Sequence, residues 1–215
     1  MNKQKRIVKK ENFMRKRDIQ IATFGIACNL SLFLIKLYVG ISSNSLAIYC
    51  DSVNNLGDTF SALIALFGFI FIIKSKINER KSSRVQALCS FIIGSIVAVT
   101  GGYCVYTGLE RFMYPVLVSY SFKYAVLIIL TACVKLVMAM VYIRSNRKSP
   151  SPVYKALILD SFLDFAITTM AVMGFFLIHK LNYAIDGVFG IVIGIIILTS
   201  AAKSVFQQAK FLIND

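Results

Sequence analysis

Histidine, proline and acidic residues are the scarce ones in this 215-residue sequence, with one, three and ten respectively. The single histidine, His179, excludes any site that needs two imidazoles. No Walker A run, dinucleotide-binding glycine pattern or HExxH motif occurs, so the chain carries no nucleotide-driven motor of its own. The five cysteines (Cys28, Cys50, Cys89, Cys104, Cys133) form no CxxC pair. All fall in apolar stretches and read as small buried hydrophobes rather than metal ligands. Charged residues make up 16%, against about 25% in an ordinary soluble domain. The opening stretch MNKQKRIVKKENFMRKRD is too polar to be expected as a cleavable signal peptide.

What is present is apolar residues and positive charge. Hydrophobic residues reach 57% and the mean hydropathy is +0.71, while 24 Lys and Arg set the formal charge at +14. A basic soluble domain would suggest a nucleic-acid partner, but such domains are not this apolar, and no nucleic acid is expected here. Six apolar segments run roughly over 20–41, 46–73, 86–109, 118–143, 154–178 and 184–206. About 20 helical residues cross a 30 Å hydrocarbon core, so each can span a bilayer. Pro115, Pro150 and Pro152 all fall between segments, where a missing N–H is harmless. Ser151 followed by Pro152 suits a cap and first-turn pair opening the fifth helix.

The basic residues sort by side. The N-terminal arm carries eight, the link after the second segment five, the link after the fourth four, and the C-terminal segment two. Those nineteen alternate with a side holding only Arg111, Lys123 and Lys180. The excess places both termini in the cytoplasm. The expectation is an all-α, multi-pass protein of the cell membrane. It has a basic arm (1–19), a six-helix transmembrane domain (20–206) and a short cytoplasmic tail (207–215). The bilayer is its first partner, and the arm has enough charge to touch anionic headgroups.

Four carboxylates lie within the second and fifth apolar segments: Asp51, Asp58, Asp160 and Asp164. Intramembrane acids are costly and mark a pathway or site. Asp160 and Asp164 are four residues apart, on one face of a helix, and Asn54 and Asp58 repeat that spacing. The two segments also match in frame. Ser45 precedes Asp58 by thirteen residues, as Ser151 precedes Asp164, and SLAIYCDSVNNLGD aligns with SPVYKALILDSFLD. Packed antiparallel, Asn54 would lie level with Asp164 and Asp58 level with Asp160. Three ionised carboxylates cannot share a low-dielectric cage without a cation or protons. The donors are all oxygens, which suits Mn²⁺, Mg²⁺ or Ca²⁺ better than Zn²⁺. The candidate metal ligands are therefore Asn54, Asp58, Asp160 and Asp164. Asp51 stands behind them or on the way in, with direct contact the other reading.

The remaining polar residues read more plainly. Lys36 is expected to reach outward from the end of the first span. Lys135 is expected to reach the cytoplasmic interface, with pairing to an acid as the alternative. Asn29 reads as interhelical hydrogen-bonding or as a cavity residue. Gly190 and Gly194 form a GxxxG pair that permits close helix approach.

The run SLFLIKLYVGISSNSLAIYCDSVNNLGDTFSAL resembles the first-to-second span signature of the cation diffusion facilitator family. SPVYKALILDSFLDFAITT is similar to that family's fifth span, and IDGVFGIVIGIIIL to its opening of span six at Asp186. The resemblance covers almost the whole chain. It implies a proton-coupled antiporter that exports divalent transition-metal ions as a homodimer by alternating access, and not an enzyme. Zinc members typically place histidine in these pairs. The pattern Asn54, Asp58, Asp160 and Asp164 is instead similar to the manganese-exporting branch. No cofactor is implied beyond the transported ion, Mn²⁺ first and Zn²⁺ or Fe²⁺ as alternatives. The link NERKSSRVQALCSF lacks the His, Gly and Glu residues often found there, so no link metal site is expected. Most members continue into a cytoplasmic metal-sensing domain, and the sequence stops at Asp215, so that domain is not expected.

Two other readings stay open: a zinc or iron exporter of the same fold, and a non-transporting membrane subunit that pairs with a full-length relative. An intramembrane aspartyl protease is disfavoured, since neither Asp-bearing segment shows the Gly-Asp type of motif such enzymes need.

Overall fold

Six helices make up the computed structural model, which describes residues 3–75, 79–148, 152–180 and 183–214. They are α1 (Lys3–Ser43), α2 (Leu46–Ser75), α3 (Glu79–Met113), α4 (Phe122–Lys148), α5 (Pro152–Lys180) and α6 (Ala184–Asn214). No strand occurs among the described residues. Five helices contain stretches long and apolar enough to cross a membrane: Ile19–Ser43, Ala87–Met113, Phe122–Lys148, Leu157–Ile178 and Ala184–Ile213. The sixth, α2, has 30 residues, about 45 Å of helix, and carries Asp51 and Asp58. The chain is a multi-pass membrane protein.

Its burial pattern is inverted relative to a soluble globule. Lys36, Lys135 and Asp51 have no exposed surface, while Ile41 and Val99 are 66% and 75% exposed. Apolar side chains facing outward around a polar interior suit a hydrocarbon solvent. α2 touches α1, α3, α5 and α6, and α4 touches α1 and α5. The helix bearing Asn54 and Asp58 thus faces the helix bearing Asp160 and Asp164.

The helices are longer than the apolar segments. α1 continues back to Lys3 through the basic arm, and α6 runs on to Asn214. The fourth helix shows the opposite error. Residues 118–121, expected to belong to it, lie in the link before α4. Val118 is 5% exposed and packs on the core, and the Ser119 N–H donates to Ser43 O at 2.8 Å. Val118 is apolar and buried like a span residue, but Ser119 beside it is exposed and the backbone there is not helical. Ser151, the expected cap of α5, lies outside the described residues, and α5 opens at Pro152.

The turn between α1 and α2 is specified residue by residue. Asn44 has φ 55°, a left-handed conformation that Asn tolerates better than most. Its N–H donates to Ile41 O, and that of Ser45 to Gly40 O, the paired bonds of a Schellman ending. The exposed amides that open α2 are taken by Asp186, from the first turn of α6. Its carboxylate accepts from Leu46 N (2.7 Å), Ala47 N (3.3 Å) and Ser45 Oγ (2.7 Å). An anion at a helix N-terminus is favoured by the helix dipole as well. Arg111 at the end of α3 donates to Asp186 Oδ2 (3.0 Å) and Asn44 O (2.6 Å). One buried acid therefore ties together α2, α3, α6 and the turn.

α3 and α6 approach backbone to backbone. A methyl group at Gly101 would lie 2.8 Å from Leu198 N, and one at Gly108 would lie 2.9 Å from Gly187 O. Gly194 faces the α3 backbone in the same contact, whereas Gly190 meets Leu46 of α2. The close approach expected of the GxxxG pair is thus divided between two neighbours.

The cysteines depart from expectation. Cys50 on α2 and Cys104 on α3 form a disulfide, with their Cα atoms 6.2 Å apart. Cys28 and Cys89 are half-buried and Cys133 is exposed. The two partners lie 54 residues apart in sequence, so no local motif announces the pair. Helix packing alone brings them together.

Candidate metal centre

Helical periodicity builds the site from two facing pairs. On α5, Asp160 and Asp164 share a face; on α2, Asn54 and Asp58 do the same. The structure brings all four candidate residues together. Asp58, Asp160 and Asp164 each offer an oxygen within 4.8 Å of the others. Asn54 Nδ2 donates to Asp164 Oδ1 at 2.6 Å, placing Asn54 level with Asp164 as the antiparallel register requires. Asp58 Oδ2 is buried without a hydrogen-bond donor.

Two basic residues stand behind these acids, Lys36 away from where the sequence analysis put it and Lys135 in the acid pairing that was its alternative reading. Lys135 of α4 does not reach the cytoplasmic interface. It is fully buried, its ammonium ion-pairs with Asp164 Oδ2, and it also donates to Asn29 Oδ1 on α1 at 2.8 Å. Lys36 does not reach outward either. It is buried and donates to Asp51 Oδ1 (2.9 Å) and Thr168 Oγ1 (2.7 Å). Thr168 Oγ1 in turn donates to the Asp164 carbonyl oxygen at 2.8 Å. The reason is electrostatic. An intramembrane acid and an intramembrane base each cost less when they meet than when either reaches for water. Asp51 belongs to the Lys36 pair and lies outside the cluster of three carboxylates.

The ledger of charge is uneven. Lys36 and Asp51 neutralise each other, whereas one Lys135 faces three carboxylates. Such a cluster in low dielectric calls for further positive charge. Its oxygens converge from two helices at one point, with no imidazole and no thiolate, which is a donor set for a hard or borderline cation.

The model of the cation efflux transmembrane domain matches residues 22–213. The chain belongs to that family. Among curated proteins, it is 31% identical over 85 residues to the "Cadmium, cobalt and zinc/H(+)-K(+) antiporter" of Bacillus subtilis (strain 168). That match takes in 38% of this chain and 27% of the relative, so the chain spans about a quarter of the length of the curated relative it matches.

Within this cation efflux domain, sequence reasoning picked out the four candidate residues, left the pairing of Lys135 with an acid as an alternative and marked Asn29 as a hydrogen-bonding or cavity residue, but missed the partners of Lys36 and the part of Thr168. For Lys36 a signal was present, since intramembrane charges of opposite sign pair by default. Thr168 carried no comparable signal.

Proposed function

We propose that this cation efflux domain exports divalent metal ions in exchange for protons, with Mn²⁺ as the preferred substrate. The observation that carries the reading is the convergence of Asp58, Asp160 and Asp164 to within 4.8 Å, joined to Asn54 across the α2–α5 contact. The ion binds the three carboxylates as their protons leave, and takes the Asn54 amide oxygen as a fourth donor. On the far side protons displace it, because both compete for the same oxygens. The basic residues set the cytoplasmic side at the chain termini. The other end then gathers the α1–α2 turn, the α3–α4 link and the start of α6.

The relative's name, a metal/H⁺ antiporter, supports the exchange of metal for protons. The preference for Mn²⁺ rests on the donor set, four oxygens and no histidine. The same relative is named for cadmium, cobalt and zinc, which supports a zinc-type exporter as the second reading. The test is uptake into proteoliposomes of the purified chain, with Mn²⁺, Zn²⁺, Fe²⁺ and Cd²⁺ compared under one imposed pH gradient. Mn²⁺ should be carried fastest. Zn²⁺ or Cd²⁺ ahead of Mn²⁺ overturns the preference and leaves the exchange standing, whereas no uptake of any ion favours a non-transporting subunit.

A further inference from the structure

Among the described residues, Lys135 is the one cation set directly on the carboxylate cluster. It is fully buried, comes from α4, which supplies none of the four ligands, and meets Asp164 through Oδ2. Asp164 Oδ1, the other oxygen, is the one held by Asn54. Asn29 fixes the ammonium from the α1 side at 2.8 Å. The lysine is therefore held by Asp164 on one side and by Asn29 on the other, and its charge belongs to the site. The other buried lysine is already matched, since Lys36 is ion-paired to Asp51 at 2.9 Å.

We propose that Lys135 is the residue that sets the charge preference of the metal site, its fixed positive charge reducing three carboxylates to a net of two. This rests on the metal-site reading above. A divalent ion then completes a neutral cluster, which is the state that a low-dielectric interior favours. A monovalent ion leaves one negative charge unmatched, and a trivalent ion leaves one positive charge in excess. Lys135 acts through Asp164 and need not touch the ion.

Charge arithmetic gives a test that a packing role for the lysine would not pass. Binding of Mn²⁺ and of Tb³⁺, close in their liking for oxygen donors, is measured by titration calorimetry on the detergent-purified chain. Lys135→Met leaves three negative charges. The ratio of Tb³⁺ to Mn²⁺ affinity should rise by about tenfold or more. Asp164→Asn leaves one negative charge, and Mn²⁺ binding should weaken strongly. Adding Lys135→Met to Asp164→Asn restores a net of two and removes both members of the ion pair. That double variant should bind Mn²⁺ at least about tenfold more tightly than Asp164→Asn alone. This comparison also decides the matter if Lys135→Met by itself does not fold. An unchanged ion ratio in folded Lys135→Met, or a double variant no tighter than Asp164→Asn, overturns the proposal. Binding of neither ion to the wild-type chain would remove the metal-site reading itself, and this proposal with it.

Discussion

Asn54 and Asp164 are joined by a 2.6 Å hydrogen bond, amide nitrogen to carboxylate oxygen, across the contact of α2 with α5. The bond occupies the nitrogen of the amide and leaves its oxygen as the atom a hard cation would take. The same bond fixes the register of the two helices, and with it the placing of Asp58 beside Asp160 and Asp164. A single residue therefore joins the two helices and, on the proposed reading, offers the site one of its oxygens.

Asn54→His exchanges that oxygen donor for an imidazole. Zn²⁺ favours nitrogen and sulfur donors more than Mn²⁺ does. Transport of Zn²⁺ relative to Mn²⁺ should rise about tenfold, equivalent to about 1.4 kcal/mol. Paired uptake assays on one vesicle preparation read the ratio. An unchanged ratio would argue that position 54 is not a ligand.

The Lys36–Asp51 pair is structural on this account, and stability should report it. Lys36→Met leaves a buried carboxylate without its partner, at a cost of about 3–5 kcal/mol. Replacing both members, Lys36→Met with Asp51→Leu, should recover most of that loss, because no uncompensated charge remains. Equilibrium unfolding in detergent distinguishes the two. Equal destabilisation by the single and the double change would contradict a simple ion pair.

The α3–α6 contact depends on missing side chains. Gly108 meets the Gly187 carbonyl oxygen and Ile191 N, backbone atoms that cannot step aside. Gly108→Leu should cost about 1–3 kcal/mol or more through overpacking. Gly102 on the same helix has open space around it, so Gly102→Ala should leave unfolding unchanged or raise the midpoint, since Ala is the better helix former. Thermal melts of the two variants side by side are sufficient. A Gly108→Leu protein as stable as wild type would mean that the helices are not this close.

Disulfide and free thiols can be counted directly. With Cys50 joined to Cys104 and three free cysteines, the chain denatured without reductant should take up three maleimide groups by intact mass. After reduction it should take up five. Five labels before reduction would show that Cys50 and Cys104 are not joined in the isolated protein.

Most of the fold was legible because a bilayer demands long apolar helices, and hydropathy reads that demand directly. It failed at the start of the fourth span, where Val118 continues the apolar run although residues 118–121 are not helical. The four candidate ligands were legible because the Asx-xxx-Asp spacing of a helix face appears twice. The disulfide was not, since Cys50 and Cys104 meet only through the packing of α2 on α3. Lys36 was misplaced for a different reason: it was weighed alone against water, whereas it meets Asp51 on another helix. For Lys135 the pairing with an acid was the alternative reading, and it is the one the structure holds. Asp186 showed itself as the opening of the sixth span, but its capping of α2, 140 residues away from Leu46, lies beyond any local pattern.

The central claim is that the cage of Asn54, Asp58, Asp160 and Asp164 exchanges a divalent ion for protons. Its most direct test is proton flux, followed with a pH-sensitive dye inside proteoliposomes, on adding Mn²⁺ outside. Wild-type protein should drive protons out of the vesicle as Mn²⁺ enters, and Asp58→Ala or Asp164→Ala should reduce the flux to that of protein-free vesicles. Normal metal-driven proton flux in either variant would contradict the account.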